Sequence, residues 1–310
     1  MSKAIIAISR PMPEAFTQPL DSLGEVVVRQ GNEYPAGASV YITTPMDETG
    51  SAVINALPDS VELIASMGVG TDHIDLAAAK ARGIVVSNTP VVTEDTADLC
   101  WALLMATMRG LTRSEKLLRA GEWDGMLPMH MMGSRVHGKT LGIIGLGAIG
   151  QAVARRAKGF AMPILYWGPN PKPEAEQELG ASYCESVEQL VSQADVVSLH
   201  CPLSDSSHHL IDAQMLSKFK AGSTLINTGR GPLVDEAALV KALQEGPLNS
   251  AGLDVYEYEP AVTAQLLKLD KVTLLPHLGS ATDECRFDVV IRLYENIQQF
   301  QESGQAKDPV

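Results

Sequence analysis

The sequence predicts an α/β protein with two domains, each built around a parallel sheet. Short apolar runs alternate with helix-length segments along most of the chain, a pattern typical of parallel sheets covered by helices on both faces. A chain of 310 residues, 45% of them hydrophobic, is long enough for two cores rather than one. A glycine-rich turn near the middle follows one of the apolar runs. These observations together predict a ligand-binding α/β protein.

The predicted strands fall into two groups separated by a helical stretch. In order they are AIIAIS, VVVRQ, VYITT, ELIAS and IVVSN, then TLGIIG, ILYW, VVSLH, TLINT, SAGLDV and VTLLP. The helical stretch EDTADLCWALLMATMRGLTRSEKLLRAGEW has apolar residues at i, i+3 and i+4 and divides the groups at about residue 97. A second helical pattern, residues 281–301, is expected to return to the first group. We therefore predict a discontinuous domain of residues 1–97 plus 285–310, with a second domain at residues 98–284.

Charge and cysteine content exclude several classes of function. A net charge of −13 argues against a nucleic-acid or anionic-membrane partner, since both need clustered Lys and Arg. The four cysteines lack any C-x-x-C spacing, so neither a metal site nor a disulfide framework is predicted. No apolar run approaches the ~18 residues of a membrane span. We expect a cytoplasmic protein whose last residues, ESGQAKDPV, form a solvated tail.

The glycine-rich turn has the pattern G-x-G-x-x-G at Gly145, Gly147 and Gly150. It follows an apolar strand and opens an amphipathic helix, as in Rossmann-like domains. Glycines here permit a tight turn and close approach of a pyrophosphate, whose charge the helix N-terminus stabilises. A plain glycine turn is the alternative. The second strand ILYW, which follows at the expected distance, favours a dinucleotide site.

The residue after that second strand bears on cofactor choice. Sites that prefer NAD place an Asp or Glu there to bind the ribose hydroxyls, whereas this chain has Gly168. Without the carboxylate a 2′-phosphate is not repelled, and Asn170 and Lys172 offer an amide donor and a positive charge. NADP is therefore favoured and NAD remains possible. Alternatively, Gly168 and Pro169 only terminate the strand.

Three further segments place reactive side chains just after predicted strands, where open α/β sheets bind ligands. Arg230 lies between two glycines and suits a bidentate grip on a carboxylate. Asp254 and Glu259 follow the next strand, and His277 follows the last one. An exposed loop arginine and a structural histidine are the alternatives. A carboxylate beside the imidazole would favour its protonated form and make it a proton donor.

Ordered motifs along nearly the whole chain resemble the D-isomer-specific 2-hydroxyacid dehydrogenases, most closely their glyoxylate/hydroxypyruvate reductase branch. They are SMGVGTDHIDLAAAKARGIVVSNTP, TADL, RAGEW, GKTLGIIGLGAIG, HCPL, INTGRGPLVDEAAL, GLDVYEYEP and LLPHLGSAT. The resemblance implies two Rossmann-like/flavodoxin-like domains with parallel sheets, in which the catalytic domain is discontinuous.

The resemblance also implies roles for residues. Arg230 would bind the substrate carboxylate and carbonyl, Glu259 would pair with the histidine, and His277 would be the acid/base. Main-chain amides of Val69 and Gly70 would bind the substrate carboxylate. The cofactor positions implied by the motifs are Gly145, Gly147, Ala148, Ile149, Gly150, Gly168, Asn170, Cys201, Pro202, Thr228, Gly229, Asp254, His277 and Gly279. The histidines that match no catalytic position are His200, His208 and His209.

The resulting hypothesis is NAD(P)H-dependent reduction of a small 2-oxo acid, such as glyoxylate or hydroxypyruvate, to the D-2-hydroxy acid. A homodimer formed through the nucleotide domain is the habit of the family. One alternative is a dinucleotide-sensing binding protein of the same fold without turnover, which retention of Arg230, Glu259 and His277 disfavours. A second is a methyltransferase that binds S-adenosylmethionine, which the complete glycine pattern disfavours.

Overall fold

The computed structural model describes residues 4–31, 33–126 and 128–310. The strands are β1 (Ile5–Ile8), β2 (Glu25–Val28), β3 (Ala38–Thr43), β4 (Leu63–Ser66), β5 (Val85–Ser87), β6 (Leu141–Ile144), β7 (Ile164–Trp167), β8 (Ala181–Tyr183), β9 (Val196–Leu199), β10 (Thr224–Asn227), β11 (Ser250–Leu253) and β12 (Val272–Leu274). The α-helices are α1 (Glu14–Thr17), α2 (Ser51–Ala56), α3 (Leu76–Ala81), α4 (Thr93–Arg109), α5 (Leu111–Arg119), α6 (Ala148–Ala157), α7 (Pro173–Leu179), α8 (Val187–Gln193), α9 (Ala213–Leu216), α10 (Glu236–Gln244) and α11 (Asp283–Ser303).

The chain divides into two compact units. Unit 1 comprises Met1–Val92 and Ser280–Val310, and unit 2 comprises Thr93–Gly279. Both crossings between the units lie a few residues before the domain boundaries expected from the sequence.

Unit 1 contains a five-stranded sheet among its described residues, in the order β2-β1-β3-β4-β5. All four pairings are parallel. Every residue of the interior strand β4 is buried, because helices cover both faces of the sheet. One face packs on α11 through Leu293 and Ile297, which join the core around Ile6 and Ile42.

Unit 2 contains a seven-stranded sheet among its described residues, in the order β12-β11-β10-β9-β6-β7-β8. Its pairings are also parallel, so the prediction of two parallel α/β sheets is confirmed. Apolar cores lie on both faces of this sheet. The strand order reverses between β6 and β9, and open α/β sheets bind ligands at the carboxyl ends of strands beside such a reversal.

Two elements differ from the sequence prediction. The long helical stretch is two helices, because Gly110 adopts a left-handed conformation (φ 61°) between α4 and α5. Strand β8, with the short sequence ASY, was not predicted. Three residues that include one serine carry too weak an apolar signal, and pairing with β7 forms the strand.

The expectation of a solvated tail is correct for most side chains, which are exposed, but the segment is docked rather than free. Ala306 is buried, Pro309 forms an antiparallel bridge with Ser87, and the Val310 amide donates to the Val86 carbonyl. The segment Ala306–Val310 therefore extends along the free edge of β5, whose backbone groups need partners.

No helix in the described part of the chain has both the length and the apolar character required to cross a bilayer.

Candidate active site and dinucleotide site

The glycine turn after β6 depends on two of its glycines for packing. Gly145 has φ 97°, and a Cβ there would lie 2.5 Å from the Cys201 amide nitrogen. A Cβ at Gly150 would lie 2.2 Å from the Gly145 carbonyl oxygen. By contrast, a Cβ at Gly147 would meet no heavy atom within 4 Å. The first and third glycines let the turn close, whereas the second leaves the outer side of the turn open.

The open side of this turn fits the pyrophosphate of a dinucleotide. Gly147 precedes α6, whose N-terminus has no side-chain cap. The first-turn amides, including those of Ala148 and Ile149, have no carbonyl partner within the helix and carry the positive end of its dipole. The turn also lies where the strand order reverses. Backbone amides, open space and position all suit an anionic dinucleotide.

The end of β7 has room where other dinucleotide sites carry a carboxylate. A Cβ at Gly168 would meet no heavy atom within 4 Å, and its φ is not in the left-handed region. The backbone therefore does not require glycine at this position. Asn170 and Lys172 are exposed beyond it. Lys172 makes no ion pair with any acidic side chain among the described residues, so its charge is available to a ligand.

Cys201 and Pro202 follow β9 on the other side of the strand-order reversal. The Cys201 amide packs directly against Gly145, and the Pro202 carbonyl accepts a hydrogen bond from Ser207 Oγ at 2.8 Å. Burial raises the pKa of the Cys201 thiol to about 11. The thiol is therefore protonated at neutral pH, and the segment serves as a backbone wall of the site.

The loop after β10 is held in shape by Asn227. This buried side chain accepts a hydrogen bond from the Gly229 amide at 3.0 Å and donates to the Arg230 carbonyl at 2.8 Å. A Cβ at Gly231 would lie 1.9 Å from the Tyr256 carbonyl carbon, so the loop is pressed against the segment after β11. Arg230 is thereby fixed at the carboxyl edge of the sheet, and the preceding Thr228 is buried at the same edge.

The Glu259 carboxylate has two partners. One oxygen accepts the Tyr256 amide at 2.8 Å, and the other lies 2.7 Å from His277 Nδ1. Burial acts to raise the pKa of Glu259, but the hydrogen bonds from His277 and Tyr256 and the charges of His277 and Arg230 lower it below its usual value of 4.5. Glu259 is therefore ionised at neutral pH.

His277 has a left-handed backbone, with φ 56°, which is uncommon for a residue other than glycine. Asp254 maintains that conformation. Its carbonyl accepts the His277 amide at 2.8 Å, and its carboxylate accepts the Leu278 and Gly279 amides at 2.7 and 2.9 Å. Burial raises the pKa of Asp254 against the lowering effect of these amide bonds. With Nδ1 bonded to Glu259, Nε2 of His277 remains available to a reacting group.

Val69 and Gly70 belong to unit 1 and follow β4 in an exposed loop. Within the described residues neither of their amides donates a hydrogen bond. Two adjacent amides without internal partners form a site suited to a small anion. The Val69 carbonyl is held by Asn88 Nδ2 at 2.8 Å.

Two of the histidines that match no catalytic position, His200 and His209, have local side-chain partners. His209 Nε2 lies 2.8 Å from Glu257 Oε1, and His200 Nε2 lies 2.8 Å from Ser198 Oγ. Desolvation lowers the pKa of His200 to about 4, so it is neutral at physiological pH. These contacts tie each of the two histidines to a neighbouring side chain.

Sequence reasoning missed the supporting residues. The role of Asn227 could have been recognised in the sequence, because the side chain of an Asn at the start of a turn commonly hydrogen-bonds to the backbone two residues later. Asp254 was expected to border the cofactor, and its two amide bonds to the loop of His277 had no signal in the sequence. The Tyr256 amide is a main-chain donor, which a sequence pattern does not reveal.

Arg230, Glu259 and His277 all belong to unit 2, where Glu259 contacts His277 and is within range of the charge of Arg230. Unit 2 therefore combines a doubly wound sheet and a dinucleotide turn with a guanidinium and an imidazole–carboxylate pair at the carboxyl edge. This combination is typical of the class of nicotinamide-dependent dehydrogenases.

Comparison with known proteins specifies the family. Residues 101–279 match the family described as D-isomer specific 2-hydroxyacid dehydrogenase, NAD binding domain. The glyoxylate reductase of Thermococcus litoralis is 39% identical over 312 residues, which cover 96% of this chain and 94% of the relative. The glyoxylate/hydroxypyruvate reductase B of Escherichia fergusonii is 38% identical over 307 residues, 95% of this chain and 94% of the relative. The chain belongs to the D-isomer-specific 2-hydroxyacid dehydrogenase family.

A solved structure shares the whole fold. The NADPH-dependent glyoxylate/hydroxypyruvate reductase of Sinorhizobium meliloti, in complex with NADP and malonate, is 34% identical with a TM-score of 0.92, covering 100% of this chain and 97% of that chain. The family membership and the glycine turn together make this protein an oxidoreductase with a nicotinamide dinucleotide cofactor.

Proposed function

We propose that this enzyme reduces a small 2-oxo acid of the glyoxylate or hydroxypyruvate type to the D-2-hydroxy acid, with His277 as the proton donor. The observation that carries the proposal is the 2.7 Å contact of His277 Nδ1 with an ionised Glu259, in the unit that contains the dinucleotide turn. The names of the relatives from Thermococcus litoralis and Escherichia fergusonii support the substrate class.

The imidazole–carboxylate pair supplies the proton. When bound, the reduced nicotinamide supplies a hydride to C2 of the substrate. His277 Nε2 donates a proton to the oxygen on that carbon, and the Glu259 carboxylate stabilises the imidazolium until the transfer. Asp254 holds the backbone of His277, so the ring approaches from a fixed direction. Proton transfer from a positioned histidine typically contributes a factor of ~10² to 10⁴.

Arg230 and the amides of Val69 and Gly70 bind the substrate in this proposal. The guanidinium stabilises negative charge that develops on the carbonyl oxygen, an effect worth about 3 kcal/mol for comparable donors. Its fork of N–H donors also suits the substrate carboxylate, as do the two amides. The carboxylate keeps its charge throughout the reaction. Its binding therefore orients the substrate and affects KM more than kcat.

The cofactor in this proposal is NADPH rather than NADH. Gly168 leaves space without a repelling carboxylate, and Lys172 is exposed without an acidic partner among the described residues. The NADPH-dependent relative from Sinorhizobium meliloti is consistent with that preference. Gly145, Gly147 and Gly150 would hold the pyrophosphate, with the amides of Ala148 and Ile149.

Assembly as a homodimer through unit 2 completes the proposal. Large apolar side chains between residues 111 and 132 are more than half exposed, namely Leu111, Leu118, Trp123, Met126, Met129 and Met132. Exposed apolar surface of this kind marks an interaction site. Light scattering after gel filtration tests the dimer. The four free cysteines fit a reducing, cytoplasmic compartment.

The decisive experiment measures NADPH oxidation by the purified enzyme with a panel of 2-oxo acids. Turnover is expected with glyoxylate and hydroxypyruvate, and with NADPH above NADH. Tight NADPH binding without turnover on any 2-oxo acid would instead favour a dinucleotide-sensing binding protein. Thermal stabilisation by S-adenosylmethionine but not by NADPH would overturn the dinucleotide assignment.

A further inference from the structure

The loop proposed to bind the substrate carboxylate is supported from outside itself. Asn88 Nδ2 donates to the Val69 carbonyl at 2.8 Å, and the Thr89 amide donates to the Gly68 carbonyl at 3.0 Å. Both donors lie just after the edge strand β5. Since these bonds hold the carbonyls on either side of the Val69 amide, the direction in which that amide points depends on the position of Asn88 and Thr89.

Asn88 is in turn fixed by a buried side chain of α11. Asn296 is fully buried, and its Nδ2 donates to the Asn88 carbonyl at 2.9 Å. Its Oδ1 accepts the Asp308 amide at 2.8 Å. The Asp308 carbonyl then accepts the Asn88 amide at 3.2 Å. The side-chain amide of Asn296 therefore connects Asn88, which supports the Val69 loop, to the segment Ala306–Val310.

The same segment is anchored to α11 by charged pairs. Asp308 accepts two hydrogen bonds from Arg292 Nη1 at 3.0 and 3.1 Å, and Lys307 contacts Glu295 at 2.8 Å. Together with the backbone bridge to β5, these contacts hold Asp308 against Asn296. The segment closes the β5 edge at the point where the chain continues to Asn88.

The polarity of position 296 is unusual for its surroundings. Its neighbours on the same helix, Leu293 and Ile297, are buried apolar residues of the unit 1 core. A buried amide is costly unless it is hydrogen-bonded, and an apolar side chain would satisfy the packing of α11 equally well. The partners of Asn296 are the Asn88 carbonyl, next to the residues that support the Val69 loop, and the amide and carboxylate of Asp308, so its hydrogen bonds connect that support to the docked segment.

We propose that Asn296 is a positioning residue, which, through Asn88 and the docked segment Ala306–Val310, fixes the Val69–Gly70 amides for the substrate carboxylate. This rests on the proposed function of those amides. Because the carboxylate charge does not change during reduction, misplacing the amides weakens substrate binding equally in ground and transition states. The effect therefore falls on KM for the 2-oxo acid, while kcat and NADPH binding are preserved.

The test compares three variants of the full-length enzyme. Asn296→Leu removes all three side-chain hydrogen bonds, and Asn296→Asp keeps the acceptor for the Asp308 amide but loses the donors to the Asn88 carbonyl and the Asp308 carboxylate. Both variants are expected to raise KM for glyoxylate about tenfold, because misplaced Val69 and Gly70 amides weaken one or two hydrogen bonds to the substrate carboxylate. Their kcat and their KM for NADPH should be nearly unchanged. Leu293→Ala is the matched control on α11. It is expected to lower Tm without raising KM for glyoxylate.

Hydrogen exchange provides a second measurement that needs no substrate. Exchange of the Thr89 amide, relative to the amides of β4, is expected to rise in Asn296→Asp and not in Leu293→Ala. An unchanged Thr89 exchange, or an unchanged KM in a folded Asn296 variant, overturns the inference. If the wild-type enzyme shows no glyoxylate-dependent NADPH oxidation, the proposed function fails, and the exchange comparison still decides whether Asn296 positions the loop.

Discussion

The two halves of the unit 2 sheet differ in the residues that follow their strands at the carboxyl edge. After β10, β11 and β12 the loops carry Arg230, Glu259 and His277, each bonded to neighbouring side chains or backbone. After β6 and β7 the loops present glycines, and Gly147 and Gly168 face open space. The half proposed to be catalytic thus depends on side chains that are present, and the half proposed to bind the dinucleotide depends on side chains that are missing. Removing a side chain should damage the first half, and adding one should damage the second.

The largest effect is expected from His277→Ala. Loss of the proton donor should reduce kcat with glyoxylate by a factor of ~10² to 10⁴, with little change in NADPH affinity, because the imidazole acts on the substrate oxygen. Steady-state kinetics and a fluorescence titration with NADPH measure the two quantities. His209→Ala is the matched control, since His209 also has a positive φ and a glutamate partner. A kcat near that of the wild type in His277→Ala would refute the assignment.

In the dinucleotide half, two alanine substitutions should separate folding from binding. In Gly150→Ala the new methyl group overlaps the Gly145 carbonyl, so both Tm and NADPH affinity should fall, with an overpacking cost of about 1–3 kcal/mol. In Gly147→Ala the methyl group meets nothing in the protein. Its Tm should be unchanged while NADPH affinity falls about tenfold or more, because the pyrophosphate requires close approach. Differential scanning calorimetry and NADPH titration distinguish the cases.

Equal NADPH affinity in Gly147→Ala and in the wild type would show that the dinucleotide does not approach this turn.

Glu259→Gln should change the pH profile of reduction. A neutral amide cannot stabilise a positive charge beside it, so the descending limb of kcat is expected to move to lower pH. The pKa of Glu259 is lowered in the folded protein. The carboxylate therefore contributes stability above its unfolded pKa, and that contribution is lost as pH falls through the folded pKa. The variant should accordingly show a smaller loss of Tm on acidification.

Glu257→Gln is the control for this change, since Glu257 lies on the same turn but bonds to His209. Equal displacement of the descending limb in both variants would argue against a specific pairing of Glu259 with His277.

The smallest effect is expected from Gly168→Asp, which restores a carboxylate where the backbone has room for one. The ratio of kcat/KM for NADPH to that for NADH should fall about tenfold, because the new charge repels a 2′-phosphate and accepts the ribose hydroxyls. Both cofactors are assayed on the same preparation. A ratio that does not change would place the adenosine ribose away from this strand end.

The strands were predictable because their apolar runs are buried on both faces, as in β4 and β9. The glycine pattern was equally readable, since Gly145 and Gly150 are required by contacts close in sequence or at strand ends. The break between α4 and α5 at Gly110 was not predictable, because a single glycine within a helical pattern is often tolerated. Strand β8 was missed because its residues have little apolar character of their own.

The sequence indicated which side chains could form the candidate site, but it did not indicate which residues hold them in place. Arg230, Glu259 and His277 lie after strands, where ligands bind, and the family resemblance suggested their roles. The contacts of Asp254 with the Leu278 and Gly279 amides depend on backbone conformation that no residue pattern encodes. Asn296 reaches Asn88 from 208 positions away. Pairings at that separation arise from the topology of the fold.

The protonated state of Cys201 has a chemical consequence for the enzyme. Its thiol has a pKa of about 11, and the thiolate is the form that reacts with alkylating agents and oxidants. Cys201 therefore lies beside the glycine turn as a thiol that is expected to react only slowly with peroxide or maleimide reagents.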